Sequence, residues 1–132
     1  MQAGVPQPIL LSALIWGAWH IPIVVAGVYL AGTSTLITIV MLMITATALG
    51  CILGWLRLSA GSVWPCVLLH VAWNTIINGT FMPAIQGANG ANARLWVGET
   101  GLLLVAALLL VTPLVRRAWQ PAADQAEPAT PA

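Results

Sequence analysis

Ser62-Val-Trp-Pro65-Cys-Val-Leu-Leu-His70-Val-Ala-Trp-Asn74-Thr-Ile-Ile-Asn78-Gly79 lies inside a run from Leu58 to Ala93 that carries no charged side chain. Its start reads as a helix N-terminus, with a serine cap followed by a proline in the first turn, where a missing N–H does little harm. Glycine at position 79 is expected to close it. From Val63 to Asn78 such a helix rises about 24 Å, short for a full membrane crossing, and is expected to be buried among other helices. Unpaired imidazoles and amides are costly in apolar surroundings, so His70 and Asn74 need a reason to be there. A second histidine, His20, stands in an equally uncharged run earlier in the chain.

The 132 residues are 60% hydrophobic and 5% charged, with no lysine. Seven charged side chains cannot supply the polar surface of a soluble domain, which is about a quarter charged. The fold expected is all-α, a polytopic membrane helical bundle of about four transmembrane helices in a membrane domain over residues 1–118. The four arginines, Arg57, Arg94, Arg116 and Arg117, form no basic track, which excludes nucleic acid as a partner. Cys51 and Cys66 sit in apolar stretches and read as packed free thiols.

Spans are expected at about 9–30, 36–56, 63–78 and 98–116. Pro22 interrupts the first and predicts a kink or break just after His20, freeing the Ala18 carbonyl. In the second, Gly50-Cys-Ile-Leu-Gly54 places two glycines on one face, where another helix can approach closely. Gly79 to Gly98 reads as a loop, Glu99 as an acid in the first turn of the fourth helix, and residues 119–132 as a disordered Pro/Ala-rich tail. Three arginines on one side against one on the other put both termini in the cytoplasm of a multi-pass plasma-membrane protein.

Cys66, His70, Asn74 and Asn78 recur every four residues and share one helix face. Interhelical hydrogen bonding is the plain reading of such a stripe. Depth adds to it: counted from the cytoplasmic ends, His20 lies about 16 Å along its span, His70 about 11 Å and Asn74 about 17 Å. The three can meet near mid-membrane.

Ser12-Ala-Leu-Ile-Trp-Gly-Ala-Trp-His20-Ile-Pro22, Leu49-Gly-Cys-Ile-Leu-Gly-Trp-Leu56 and Gly61-Ser-Val-Trp-Pro-Cys-Val-Leu-Leu-His70-Val-Ala-Trp-Asn74 together resemble the CPBP family. These are the CAAX prenyl protease type 2 and bacteriocin-processing membrane proteases, also called the Abi family. The pair that carries the resemblance is an aromatic-x-x-x-His segment followed by His-x-x-x-Asn, and the similarity runs from Pro8 to about Leu110. It implies a partial CAAX-protease-like fold and an intramembrane endopeptidase acting on a membrane-associated or prenylated peptide or protein. By that resemblance His20, His70 and Asn74 are catalytic. His20 works with a glutamate to activate water, while His70 and Asn74 donate to the carbonyl oxygen as it becomes an oxyanion. The family has also been described as metalloproteases, which makes His20 and His70 candidate zinc ligands, with zinc as the cofactor. Two histidines alone are a thin zinc site.

The family's Glu-Glu-x-x-x-Arg element, just upstream of the first histidine segment, is not in these residues: no carboxylate precedes Glu99. Met1 is expected to begin just after it, as the C-terminal part of a longer protein, and the chain alone to be a poor catalyst. The alternative is a non-catalytic peptide-binding or bacteriocin self-immunity membrane protein of the same family.

Overall fold

The computed structural model describes residues 7–27, 34–86, 93 and 96–118. Among these the secondary structure is helical, with no strand. The chain runs through α1 (Pro8–Trp19), α2 (Ile21–Val25), α3 (Thr35–Ala60) and α4 (Trp64–Trp73). A π-helical segment (Asn74–Phe81), α5 (Met82–Gln86) and α6 (Leu102–Ala118) follow. Two stretches, Pro8–Val25 and Thr35–Ala60, are long and apolar enough to cross a membrane, and Leu102–Val115 is a shorter apolar helix. Large apolar side chains face outward, among them Trp19 at 78%, Leu36 at 71% and Leu110 at 70% exposure. Water would penalise such a surface and hydrocarbon would not. The fold is an all-α membrane fold.

α3 is the central element: α1, α2, α4 and α6 each pack on it. Its buried face, Thr38, Leu42, Thr45, Leu49 and Ile52, recurs at three- and four-residue steps, as one side of a helix should. Arg57 stands in its last turn, and Gly61 ends it at φ 63, a left-handed conformation that favours glycine.

The glycine pair expected to admit another helix does so. A Cβ built on Gly50 would lie 2.7 Å from the Ala13 Cβ, and one on Gly54 would lie 2.7 Å from Ile9 Cγ2. Further along, Gly17 of α1 faces Met43 and Ala46. Ile9, Ala13 and Gly17 thus meet Gly54, Gly50 and Ala46 in an antiparallel seam of small residues. On the other side of α3, Ala48, Ile52 and Leu108 form a buried cluster, against which Leu69, Trp73, Leu104 and Val115 pack.

Several local expectations are modified. The first span does break at His20: α1 ends at Trp19 and α2 begins at Ile21, with the His20 N–H bonded to the Gly17 carbonyl at 3.1 Å. The Ala18 carbonyl, however, is not left free, because a backbone N–H at the helix cap bonds it. Gly79 does not close the third helix. It lacks the positive φ of Gly61 and Gly98, and i→i+5 bonding carries the chain onward, with the Met82 N–H on the Ile77 carbonyl. Part of the expected loop, through Gln86, is therefore helical, and residues 87–92 lie outside the described residues. α4 has no buried residue, because α3 covers only one of its sides. Gly98, at φ 115, forms a turn that delays α6 to Leu102. Glu99 consequently precedes that helix, and its carbonyl accepts a hydrogen bond from the Thr45 hydroxyl at 3.1 Å. The expected tail, 119–132, also lies outside the described residues.

Candidate functional site

The site is built around one indole. Trp16 is four residues before His20, on the same face of α1, and its ring meets His20 edge-on, with ring centres 5.6 Å apart. Its other neighbour is His70 of α4, at 5.5 Å and a tilt of 59°. Helices that share no turn or loop thus bring the two imidazoles within two ring-contact lengths of each other. The packing of α1 and α4 against α3 sets this arrangement.

His20 is held by a bond as well as by packing. Its Nδ1 lies 2.9 Å from the main-chain oxygen of Trp16. A carbonyl oxygen only accepts, so in the neutral ring Nδ1 carries the hydrogen and Nε2 keeps its lone pair. His70 has no hydrogen bond to a described residue, and its ring lies against the Trp16 indole. Both rings are half-buried.

Asn74 stands one helical turn beyond His70, at the point where α-helix gives way to π-helix. It is exposed, and its side-chain oxygen accepts a hydrogen bond from Asn78 Nδ2 at 3.3 Å. The Asn74 amide N–H groups are left for another acceptor. Such wide turns occur often at functional sites. Among the described residues, no hydrogen bond joins Asn74 to either histidine. The structure therefore brings His20 and His70 together through Trp16, and puts Asn74 on the next turn of the His70 helix.

The stripe on α4 divides. Cys66 is a free thiol, like Cys51, and donates to the Leu53 carbonyl of α3 at 3.2 Å, an interhelical bond. Asn78 is occupied with Asn74. Trp16 is the aromatic of the aromatic-x-x-x-His segment, and what the sequence did not offer is its contact with His70.

Zinc chemistry can be tested against the donors. His20 and His70 are the chain's two histidines. Among the described residues no three His, Cys, Asp or Glu side chains group as a metal site. A catalytic zinc takes three protein ligands and an open position. The described donors do not fit it, and no step below is routed through a metal.

Below this site a cavity of about 520 Å³ runs between α1, the C-terminal half of α3 and the start of α4. Trp16, Ile9, Ala13, Gly54, Cys66 and Arg57 are among the residues that line it.

Apolar helices enclosing two imidazoles, with an apolar cavity beside them, define a helical membrane protein with a polar intramembrane site. The sequence pattern of the Rce1-like family, type II CAAX prenyl endopeptidases, matches residues 2–76, and the chain belongs to that family. The matched stretch contains Trp16, His20, Arg57, His70 and Asn74. No curated protein matches the chain, and neither does any solved structure.

Proposed function

We propose that the protein is an intramembrane endopeptidase, multi-pass in the plasma membrane with both termini cytoplasmic, and that His20, His70 and Asn74 are its catalytic residues. The substrate is a membrane-associated or prenylated peptide or protein. The observation that carries this reading is the contact of Trp16 with both imidazoles, which brings together two of the three residues that the family resemblance makes catalytic.

Each residue has a role suited to its surroundings. The lone pair on His20 Nε2 takes a proton from water, with Nδ1–H anchored on the Trp16 carbonyl so that the ring cannot turn away. The hydroxide so formed adds to the peptide carbonyl carbon, and the oxygen becomes an oxyanion. His70 and the Asn74 amide donate to that oxygen, where two hydrogen bonds in a water-poor site count for more than in solution. Proton return from His20 to the departing amine completes the cleavage.

A second reading is a non-catalytic peptide-binding or self-immunity protein of the same family. It is favoured by the surroundings of the imidazoles, since among the described residues no carboxylate bonds to His20 or His70. Cleavage of a prenylated membrane peptide by the protein in lipid separates the two. His20→Ala is expected to lower kcat by about two to four orders of magnitude, and His70→Ala and Asn74→Ala by about two to three each. Cleavage undiminished by His70→Ala would overturn the assignment, and peptide binding with no cleavage would favour the second reading.

A further inference from the structure

α1 and α6 flank α3 without packing on each other among the described residues. The gap between them is a groove of about 430 Å³, lined by Ile9 and Leu10 of α1, Cys51 and Trp55 of α3, and Thr112 and Pro113 of α6. No residue of α4 and neither histidine lines it. The Thr112 hydroxyl donates to the Leu108 carbonyl at 2.6 Å, so it is spent inside α6 and not offered to the gap. One end of the groove is charged. α3 and α6 run side by side in the same direction, since the Thr45 hydroxyl meets the Glu99 carbonyl and Ile52 meets Leu108 further on. α1 runs the opposite way, with Ile9 against Gly54. The start of α1 and the ends of α3 and α6 therefore share one end of the bundle. There Arg117 stands one turn beyond Pro113 on the same face of α6, about 6 Å further along the helix. It is exposed and has neither ion pair nor hydrogen bond among the described residues. Gln7 lines the groove at this end, and the Trp55 indole N–H has no partner among the described residues.

We propose that this groove binds an anionic phospholipid, with one acyl chain lying between α1 and α6 and the phosphate on Arg117. Apolar walls alone cannot choose among lipids, because every lipid tail is as apolar as the side chains around it. Charge makes the choice. A guanidinium at headgroup level attracts an anionic lipid, and basic pockets between membrane helices hold such head groups. Its planar fork meets two phosphate oxygens at once. The Trp55 indole and the Gln7 amide add N–H donors at the depth where aromatic side chains meet the headgroup region. A groove that is apolar along its length and cationic at its rim matches a molecule built as a chain with a charge at one end. An extended polypeptide in the same place would leave its backbone N–H and C=O groups unpaired against carbon. The groove is separate from the histidines, so peptide cleavage bears on it in neither direction.

The test titrates the full protein in a neutral detergent with phosphatidylglycerol or phosphatidylcholine of identical chains and counts bound lipid by native mass spectrometry. Phosphatidylglycerol is expected to bind about fivefold more tightly, the effect of one arginine near a membrane surface. Arg117→Gln should erase that preference, Arg117→Lys should keep most of it, and Arg57→Gln, at the same end of the bundle but outside this groove, should leave it intact. Occupancy of the groove is read from Trp55. Brominated acyl chains should quench the part of the emission that Trp55→Phe removes, and phosphatidylglycerol should do so more strongly than phosphatidylcholine. Equal affinities, a preference that survives Arg117→Gln, or one that falls equally with Arg57→Gln overturns the proposal. So does displacement of the lipid by inorganic phosphate at equal concentration, which would make Arg117 a simple anion site. Unquenched Trp55 emission, or a dimer that retains no lipid and so puts a second copy in the groove, overturns it as well.

Discussion

Replacing Gly50 by alanine tests whether the seam between α1 and α3 sets the site. The added methyl carbon would meet the Ala13 Cβ at 2.7 Å and its Cα at 3.0 Å. Carbon atoms rest at about 3.5–4.0 Å, so α1 must withdraw by about 1 Å at that level, three residues from Trp16. Overpacking of this kind costs about 1–3 kcal/mol. Against it stands the helix preference of alanine over glycine, about 1 kcal/mol. A net loss of about 0–2 kcal/mol is expected, where an isolated helix would gain about 1 kcal/mol. Gly54→Ala should cost less, because it meets Ile9 Cγ2, the end of a side chain. Reversible unfolding in mixed micelles, followed by circular dichroism, measures both. Ala13→Gly combined with Gly50→Ala should recover part of the loss, a coupling that independent sites would not show. Since a 1 Å misplacement of reacting groups can cost about a hundredfold, cleavage should fall further in Gly50→Ala than stability alone explains. A Gly50→Ala protein more stable than the parent by about 1 kcal/mol, the gain of an isolated helix, would refute the close approach.

Other expectations concern single contacts. Trp73 Nε1 is buried without a hydrogen-bond partner among the described residues, so Trp73→Phe should be neutral or stabilising, since an unsatisfied donor costs about 1–3 kcal/mol; a midpoint lowered by more than 5 °C, about the effect of 1 kcal/mol, would contradict it. Thr45→Val removes the bond to the Glu99 carbonyl and should lower stability by about 1 kcal/mol in the same unfolding assay. Asn78→Ala frees the Asn74 oxygen and should reduce kcat by about three- to tenfold with KM unchanged, from loss of one hydrogen bond; an equal rise in KM would place Asn74 in substrate binding instead.

Much of the arrangement was legible in the sequence because membrane helices obey simple arithmetic. Uncharged runs located α1 and α3, two glycines four apart marked the seam, and a common rise per residue put His20 and His70 at comparable depth. Periodicity was weaker where bonding departs from the α pattern. Gly79 reads as a cap on composition, yet the preceding turns are already π-bonded and its backbone stays helical. Glu99 reads as a first-turn acid until Gly98 is seen to turn the chain ahead of α6. Trp16 was legible as the aromatic of the aromatic-x-x-x-His segment, but its contact with His70 was not. One aromatic among seven tryptophans gains significance only when α4 brings a second imidazole to its other side.

The π segment after Asn74 has a consequence for how the protein can vary. An i→i+5 ring holds one residue more than an α-helical ring, so such a stretch absorbs an inserted residue without interrupting the rod. Removing one residue between Thr75 and Thr80 would let ordinary bonding resume, and the helix beyond Phe81 would keep nearly its present direction, because the extra residue of an i→i+5 ring is held as a bulge. Trp64 to Asn74 would keep their alignment. The segment is thus a length buffer: a residue can be gained or lost there while α5 keeps its place and the imidazole of His70 stays on the Trp16 indole.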